Sequence, residues 1–284
     1  MAHTRSLRQN LRVAPGVVNL EGYDTAATPL APGGKAKTLA ALADPKGPSL
    51  ADWQERLIAS ASAGVEPRSV LVVLQGIDTA GKGGVVKHVV GQWQPEALKI
   101  TAFKRPTPTE LAHHYLWRIR RALPAPGQIG VFDRSHYEDV IVPRVHDALP
   151  PETVEARYGE INDFEAGLVA AGTTVVKLFL HVSYATQRER LLERLDDPTK
   201  QWKFHESDLD ERARWADYQA AFSAMLEHTS TDVAPWYVIP SDRKWYRNWA
   251  AGEILRETFA ELDPRYPTTT LDVDALKRRL RPPY

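Results

Sequence analysis

An apolar strand pattern that runs directly into a glycine-rich turn is the feature that most constrains the fold. Residues 72–74 are Val-Val-Leu, and Gly76, Gly81 and Lys82 follow with the spacing GxxxxGK. Glycines let backbone N–H groups close around a phosphate, the start of a following helix adds partial positive charge, and a lysine reaches the outer phosphates. A glycine turn of this spacing also arises by chance, so its position after an apolar strand is what predicts a phosphate-binding loop.

Short apolar segments recur along the chain and alternate with longer segments of helical periodicity. The five segments are 70–74, 100–103, 129–132, 175–182 and 236–239. Continuous apolar strands separated by helices are typical of a parallel sheet that is covered on both faces. We therefore expect an α/β fold with a parallel sheet of about five strands, helices on both faces, and ligands at the carboxyl ends of the strands.

The first part of the chain differs in composition from the rest. Residues 1–48 are rich in Pro, Gly and Ala, whereas Ser49 opens a helical pattern through Leu50, Trp53 and Leu57. Ser is a preferred residue at a helix N-terminus. We expect residues 1–48 to form an extended arm that wraps around a single domain, and residues 49–284 to form that domain.

Composition and charge exclude several classes of function. Lys plus Arg and Asp plus Glu both number 36, so overall charge indicates neither a nucleic-acid partner nor a membrane partner, and any anion site must be local. The absence of cysteine excludes disulfides, thiolate metal sites and cysteine nucleophiles. No apolar run is long enough to span a bilayer, and we expect a cytoplasmic protein.

The glycine-rich turn departs from the common phosphate loop at one position. Gly83 follows Lys82 where a Ser or Thr usually supplies a hydroxyl ligand to magnesium. Asp78, inside the turn, is a natural substitute because a carboxylate there could reach a cation bridging two phosphates. The alternative is that Asp78 caps the helix beginning near Gly81.

A second carboxylate follows the apolar segment 129–132. Asp133 has the form of a Walker B acid and lies at the end of a strand, where a parallel sheet places catalytic groups. Arg134, the next residue, would suit a phosphate clamp. The alternatives are that Asp133 or Ser135 caps a helix and that Arg134 forms a surface pair with a carboxylate.

A basic segment after the fourth apolar run is a candidate lid. In a helix beginning near Tyr184, Arg190 and Arg194 share one face at i,i+4, a spacing at which like charges repel. A bound anion would offset this repulsion, and Glu189 and Glu193 are the alternative source of compensation. The aromatic and basic segment 196–205 follows. Lids of kinases supply cations and exclude water, whereas the alternative here is a solvated charged hairpin.

Together these residues resemble polyphosphate kinase family 2 over roughly residues 45 to 265. The matching blocks are 76–84 (GIDTAGKGG), 103–106 (FKRP), 115–118 (YLWR), 132–135 (FDRS), Asp197 and Pro198 with Lys200, Trp202 and Lys203, and 234–236 (APW). The resemblance implies a P-loop core similar to thymidylate kinase, with a helical lid around residues 184–210, often as a homodimer or homotetramer. It also implies reversible, Mg²⁺-dependent phosphate transfer between inorganic polyphosphate and nucleotides, with Mn²⁺ as a possible replacement.

The resemblance assigns roles to individual residues. Asp78 and Asp133 would hold the metal, and Lys82 and Arg134 would contact phosphates. Further phosphate contacts are expected from the loop and the lid, namely Gly76, Thr79, Ala80, Gly81, Gly83, Gly84, Arg190, Arg194, Lys200 and Lys203. The stretch 136–140, with 144–146, is similar to members that accept both nucleoside mono- and diphosphates.

Positive side chains outside these motifs could track a linear polyanion. Lys87, Lys104, Arg105, Arg118 and Arg121 are expected around the mouth of the phosphate loop. Phosphoryl transfer needs aligned cations rather than a side-chain nucleophile. Two other functions stay open, because fold alone does not fix function: an ATP-donor kinase of a nucleotide or small molecule, and a regulatory module that binds nucleotide without turnover.

Overall fold

A parallel sheet of five strands forms the centre of the computed structural model, which describes residues 6–65 and 67–281. The strands are β1 Ser69–Gln75, β2 Leu98–Ala102, β3 Ile129–Asp133, β4 Thr173–His181 and β5 Trp236–Pro240. Their order is β2-β3-β1-β4-β5, and every neighbouring pair is parallel. The α/β fold predicted from the alternating pattern is confirmed, with strand bounds that differ by one or two residues.

Helices flank the sheet in two groups. The helices are α1 Leu7–Leu11, α2 Lys35–Ala43, α3 Leu50–Ser62, α4 Lys82–His88, α5 Pro108–Leu111, α6 Leu116–Ala122, α7 Glu138–Val145, α8 Pro151–Ala170, α9 Tyr184–Asp196, α10 Ser207–Ala213, α11 Trp215–Thr229, α12 Lys244–Leu262 and α13 Val273–Leu280. Helix α12 packs against α2, α3 and α4, while α7, α8 and α11 pack against one another. Within residues 6–65 and 67–281, no helix is both long enough and apolar enough to cross a membrane.

The central strand β1 and the edge strand β2 differ in how deeply their residues are buried. Every residue of β1 is buried, as expected for a Val- and Leu-rich strand covered by helices on both faces. Strand β2 contains Lys99 and Thr101 and has no fully buried residue. Because β1 is central, the turn that follows it lies between the turns that follow β3 and β4.

The N-terminal segment is an integral part of the packed structure and is not extended throughout. Leu7, Leu11, Leu20 and Leu42 are buried in the main core, and α1 and α2 both pack against α12. These contacts stabilise helices that the local Pro- and Gly-rich composition does not predict. Residues 1–5 of the expected arm, and 282–284 of the expected domain, lie outside the described residues.

Helix α3 begins where the sequence predicted. The Ser49 hydroxyl accepts a hydrogen bond from the Asp52 backbone N–H at 3.1 Å, and the Asp52 carboxylate accepts one from the Ser49 N–H at 2.7 Å. This reciprocal capping box satisfies two backbone donors at the start of the helix.

A fully buried polar network lies behind the end of β3. The Lys177 ammonium is 2.6 Å from the Glu165 carboxylate and also donates to the Tyr137 hydroxyl at 2.9 Å. Tyr137 donates to Glu165 at 2.7 Å, and the His136 ring is 3.1 Å from the same carboxylate. Since His136 and Tyr137 follow Asp133 closely in the chain, the network fixes the turn that carries the predicted Walker B acid.

Candidate active site

The turn between β1 and α4 has the backbone geometry of a phosphate loop. Gly76 and Gly81 adopt φ values of 145° and 112°, in the region that favours glycine. A Cβ at Gly76 would lie 2.6 Å from the Leu180 carbonyl oxygen, so this position also requires glycine for space. Lys82, the first residue of α4, folds back and donates to the Gly76 carbonyl at 2.8 Å.

Asp133 and Arg134 lie beside this loop at the carboxyl end of β3. Asp133 is the register partner of Leu74 in β1, and the Arg134 N–H donates to the Leu74 carbonyl at 3.1 Å. Arg134 has a φ of 62°, a strained value for a residue other than glycine. Its guanidinium is 3.9 Å from the Glu138 carboxylate, a loose pair that leaves the arginine 45% exposed.

Neither acid acts as the helix cap that the sequence left open. The residue at the N-cap of α4 is Gly81, with no side-chain capping hydrogen bond. The corresponding residue of α7 is Tyr137, again without a side-chain cap. The carboxylates of Asp78 and Asp133 therefore do not cap the first turns of these helices.

A wide basic cleft opens over the loop, with a volume of about 560 Å³. It brings together most of the predicted site residues. We call it the basic cleft; its lining residues are Asp78, Thr79, Gly81, Lys82, Gly83, Gly84, His88, Asp133, Arg134, Arg190, Glu193, Arg194, Lys200, Lys203, Lys244, Arg247 and Asn248. Eight of these are Lys or Arg and three are Asp or Glu, so the cleft favours an anion although the whole chain has no net charge.

Helix α9 is bound to the phosphate loop through Asp78. The Arg194 guanidinium is 2.7 Å from the Asp78 carboxylate and 3.7 Å from that of Asp208 in α10. Gln187 donates to the Asp78 carbonyl at 3.3 Å. The segment predicted as a lid therefore lies directly over the loop and consists of α9, a 3₁₀ turn at Gln201–Lys203 and α10.

Arg190 connects the phosphate loop to the end of β5. One terminal nitrogen donates to the Thr79 and Ala80 carbonyls at 2.8 and 3.1 Å. The other donates to the Ser241 and Asp242 carbonyls at 2.5 and 3.1 Å. Both terminal nitrogens of this guanidinium are bonded to backbone, so the arginine braces the loop.

Electrostatics in the cleft favour an ionised carboxylate and an added anion. Burial raises the pKa of Asp78, but the charges of Arg194 and Lys82 outweigh burial and hold that pKa below its ordinary value. Burial and the nearby positive charge of Arg134 lower the pKa of Lys82, although Asp133 acts in the opposite direction. The negative charge of a bound phosphate would act against both and favour the charged form of Lys82.

A second cavity of about 260 Å³ also includes Asp78 and Arg134 in its lining. The second cavity is lined by Gly76, Ile77, Asp78, Arg134, Glu138, Ile141, Val142, His146, Gln187, Leu191, Ser207, Asp208, Glu211, Tyr218 and Phe222. Apolar and aromatic side chains lie here beside four carboxylates, those of Asp78, Glu138, Asp208 and Glu211. Asp78 and Arg134 line both spaces, so the basic cleft and the second cavity meet at these two residues.

Several predicted phosphate-binding residues lie outside the basic cleft. Lys104, Arg105 and Arg118 line a separate groove of about 430 Å³ beside the edge strand β2, here called the edge groove. Arg118 donates to the Lys104 carbonyl at 2.9 Å and to the Asp139 carboxylate at 3.3 Å. Lys87 is exposed on α4 and is not among the lining residues of the cleft. Two loop residues are also outside its lining: Gly76 faces the second cavity, and Ala80 is buried.

Sequence reasoning missed the contribution of α12. Lys244, Arg247 and Asn248 lie in its first turns and line the basic cleft. The available signal was their position directly after the predicted strand 236–239, since ligands of parallel sheets bind at the carboxyl ends of strands.

Asp78 and Asp133 are the residues that could hold a magnesium ion. Both line the basic cleft and supply the hard oxygen ligands that Mg²⁺ prefers. Among the residues that the structure describes, no group of three or more His, Cys, Asp or Glu side chains could hold a metal. One or two carboxylates together with substrate phosphates commonly bind Mg²⁺ in phosphoryl-transfer sites, so this pair fits the ion.

Comparison with known proteins decides the family. A family model described as polyphosphate kinase 2 matches residues 40–266. The chain belongs to this family. The resemblance inferred from the sequence motifs is thereby confirmed, as is the prediction of a phosphotransferase enzyme.

Individual members of the polyphosphate kinase 2 family are similar over most of the chain. A Meiothermus ruber protein named AMP/ADP-polyphosphate phosphotransferase is 44% identical over 257 residues, covering 90% of this chain and 94% of that protein. A Rhodopseudomonas palustris protein named ADP-polyphosphate phosphotransferase is 42% identical over 233 residues, covering 78% and 79%. The crystal structure of polyphosphate kinase 2 from Arthrobacter aurescens TC1 matches with a TM-score of 0.92 at 44% identity, covering 99% of this chain and 98% of that one.

Proposed function

We propose that this protein transfers phosphoryl groups reversibly between inorganic polyphosphate and nucleotides, forming nucleoside di- or triphosphates. The observation that carries the proposal is that the basic cleft and the second cavity meet at Asp78 and Arg134. Direct transfer requires two substrates to reach one phosphoryl group from opposite sides. The names of the relatives, AMP/ADP- and ADP-polyphosphate phosphotransferase, support this pair of substrates.

The basic cleft suits the polyphosphate chain. It is the larger of the two spaces, and its lining cations extend from Lys82 at the loop to Lys200 and Lys203 beyond α9. A linear polyanion needs a row of positive charges rather than a single site. In this proposal the edge groove, with Lys104 and Arg105, lies outside the transfer site.

The second cavity suits the nucleoside. Tyr218 and Phe222 offer aromatic faces, and Ile141 offers apolar contact, while Glu138 and Glu211 can accept hydrogen bonds from ribose hydroxyls and base amino groups. Its partly apolar lining matches the mixed character of small-molecule sites. We propose ADP and AMP as acceptors, with GDP and GMP as further candidates.

The residues at the junction of the two spaces perform the transfer. Lys82 and Arg134 would bind the phosphates on either side of the transferred group and spread its charge. Asp78 and Asp133 would hold Mg²⁺, which when bound supplies charge neutralisation for the phosphate oxygens. Helices α9 and α10, as a lid, would exclude water that otherwise hydrolyses the donor.

A product assay tests this function. Purified protein is mixed with Mg²⁺, long-chain polyphosphate and one of AMP, ADP, GMP or GDP, and the nucleotides are resolved by chromatography. We expect the next higher phosphate of at least one nucleotide to form without ATP. If transfer occurs only when ATP replaces polyphosphate as the donor, the protein is instead the ATP-donor kinase. Nucleotide binding without transfer from either donor would establish the regulatory module.

The family resemblance also predicts a homodimer or homotetramer, and the sequence predicts a cytoplasmic location. Light scattering coupled to size-exclusion chromatography measures the oligomeric state directly. Both properties stay predictions beside the proposed reaction.

Replacing Asp78 with Asn should raise the Mg²⁺ concentration at half-maximal rate by at least about tenfold, because it removes one of two charged ligands. Adding a hydroxyl by Gly83→Ser in the Asp78→Asn background should not return this Mg²⁺ concentration to the parental value. Initial rates measured across a Mg²⁺ titration compare the parent with the single and double variants. An unchanged titration in Asp78→Asn would remove this carboxylate from the metal site.

Replacing Lys200 and Lys203 together with Ala should raise the KM for polyphosphate at least about threefold and make its salt dependence shallower. Both lysines line the basic cleft, and contacts between charges along a polyanion weaken as salt rises. Initial rates are measured with short and long polyphosphate at low and moderate salt.

The matched control for this double variant is Lys46→Ala with Lys277→Ala. These lysines are exposed and line neither the basic cleft nor the second cavity. The control removes the same total charge and should leave the KM for polyphosphate unchanged. Equal Michaelis constants and salt slopes in parent and test variant would exclude the 3₁₀ turn from polyphosphate binding.

A further inference from the structure

Arg247 in α12 lies directly against the phosphate loop. Its guanidinium occupies the space that a Cβ at Gly81 or Gly84 would need, so a side chain at either position would overlap it. Arg247 is 4% exposed, yet it is one of the residues that line the basic cleft. The start of α4 and the start of α12 therefore meet at this guanidinium, on the same side of the loop as the cleft.

The charge of Arg247 is not neutralised within the described part of the chain. No Asp or Glu described here lies within ion-pair distance of it; its partners are the Asn248 side-chain oxygen, at 2.8 and 3.1 Å, and the Ala80 carbonyl at 3.4 Å. Burial, together with the positive charge of Arg190, lowers the pKa of Arg247 to about 10. A buried cation with neutral partners is costly unless an anion joins it.

The two buried arginines of the cleft differ in what they bind. Arg190 directs both terminal nitrogens at four backbone carbonyls, which is the pattern of a structural brace. Arg247 makes one long contact to backbone, and its remaining hydrogen bonds go to the adjacent residue in the chain. Its donors are thus incompletely used by the protein, although the group is held in place.

We propose that Arg247 is a phosphate-binding residue that supplies a guanidinium to the polyphosphate chain beside the phosphate loop. Gly81 and Gly84 are then required to admit this arginine as well as to free the loop backbone. The ligand is assigned to polyphosphate rather than to the nucleoside because Arg247 lines the basic cleft and not the second cavity. The inference rests on the proposed function and adds a site residue to it.

Binding and thermal unfolding measured side by side test this role. The variants are Arg247→Gln, which removes the charge, and Arg247→Met, which also removes the buried polar group and should keep the fold because it relieves a desolvated charge. Long-chain polyphosphate is titrated calorimetrically without nucleotide, and Tm is recorded with and without it. We expect both variants to bind polyphosphate at least about tenfold more weakly, as for one lost charge-assisted hydrogen bond. The rise in Tm caused by polyphosphate should shrink accordingly.

Arg256→Gln is the matched control. Arg256 is buried on the same helix, pairs with Glu253 and does not line the basic cleft. The Arg256→Gln substitution should lower Tm without changing the affinity for polyphosphate. If the Arg247 variants behave in this way, with a lower Tm and parental affinity, Arg247 is a structural brace and the inference is overturned. Failure of the parent protein itself to bind polyphosphate would instead reject the proposed function.

Discussion

Replacing Lys82 with Ala, or Asp133 with Asn, is expected to lower kcat for phosphoryl transfer by at least about a hundredfold while the fold stays intact. Lys82 loses the ammonium that contacts the outer phosphates, and Asp133 loses the charge that holds the metal. Neither side chain belongs to the apolar core, and among the described residues the Lys82 ammonium donates to two loop carbonyls, at 2.8 and 3.4 Å. Steady-state rates with polyphosphate and ADP, together with circular dichroism, separate activity from folding.

Two exposed residues serve as controls for these substitutions. Lys277→Ala and Asp163→Asn make the same chemical changes on α13 and α8, away from the lining of the basic cleft. Their rates should equal that of the parent. If Lys82→Ala or Asp133→Asn kept near-normal turnover with unchanged Mg²⁺ dependence, the assignment of the phosphate loop or the Walker B acid would be wrong.

Replacing Glu165 with Ala should destabilise the protein by about 3–5 kcal/mol, because it leaves the buried Lys177 ammonium without its carboxylate. Both side chains are almost completely buried, and their charged groups are 2.6 Å apart. The free energy of unfolding is measured in urea for the parent and the variant. Glu165→Met combined with Lys177→Met, which removes both charges, should recover much of the loss.

The Glu165–Lys177 ion pair also predicts how the destabilisation caused by Glu165→Ala depends on pH. Burial raises the pKa of Glu165, but the charge of Lys177 outweighs burial and keeps that pKa below the ordinary value of 4.5. A carboxylate with a lowered pKa contributes stability that is complete above its unfolded pKa and is lost as pH falls through its folded pKa. The difference in unfolding free energy between parent and Glu165→Ala should therefore be constant near neutral pH and narrow below pH 4.5. A difference that stays constant across this range would show that the pKa of Glu165 is the same in the folded and unfolded protein, and a difference that grows as pH falls would show that folded Glu165 is protonated.

The sequence predicted the elements whose determinants are local. Strands β1 and β3 appear as continuous apolar runs, and the start of α3 is encoded by Ser49 and its capping box. Helices α1 and α2 were not predicted, because their stability depends on burying leucines such as Leu7 and Leu42 against α12, far along the chain. Strand β2 begins at Leu98 rather than at residue 100, since an edge strand carries a weaker apolar pattern.

The site shows the same division between local and distant determinants. Asp78 and Lys82 belong to one short motif, so their proximity follows from the turn itself. Arg247 reaches this turn only because α12 packs on α4, and no local pattern encodes that contact. Lys104 and Arg105 follow β2, which is separated from β1 by β3, and the sheet order places them in the edge groove.

The N-terminal segment contacts β5, which is one of the two edge strands of the sheet, and this contact affects whether another chain can add a strand there. The Val13 N–H donates to the Trp236 carbonyl at 2.9 Å, and Arg12 forms an antiparallel bridge with Tyr237. Unpaired strand borders are templates for aggregation by strand addition, so this contact protects the β5 border. The opposite border, formed by β2, carries Lys99, and charged side chains on border strands oppose such addition. Removing the N-terminal segment would therefore be expected to promote aggregation through β5, independently of any effect on the reaction.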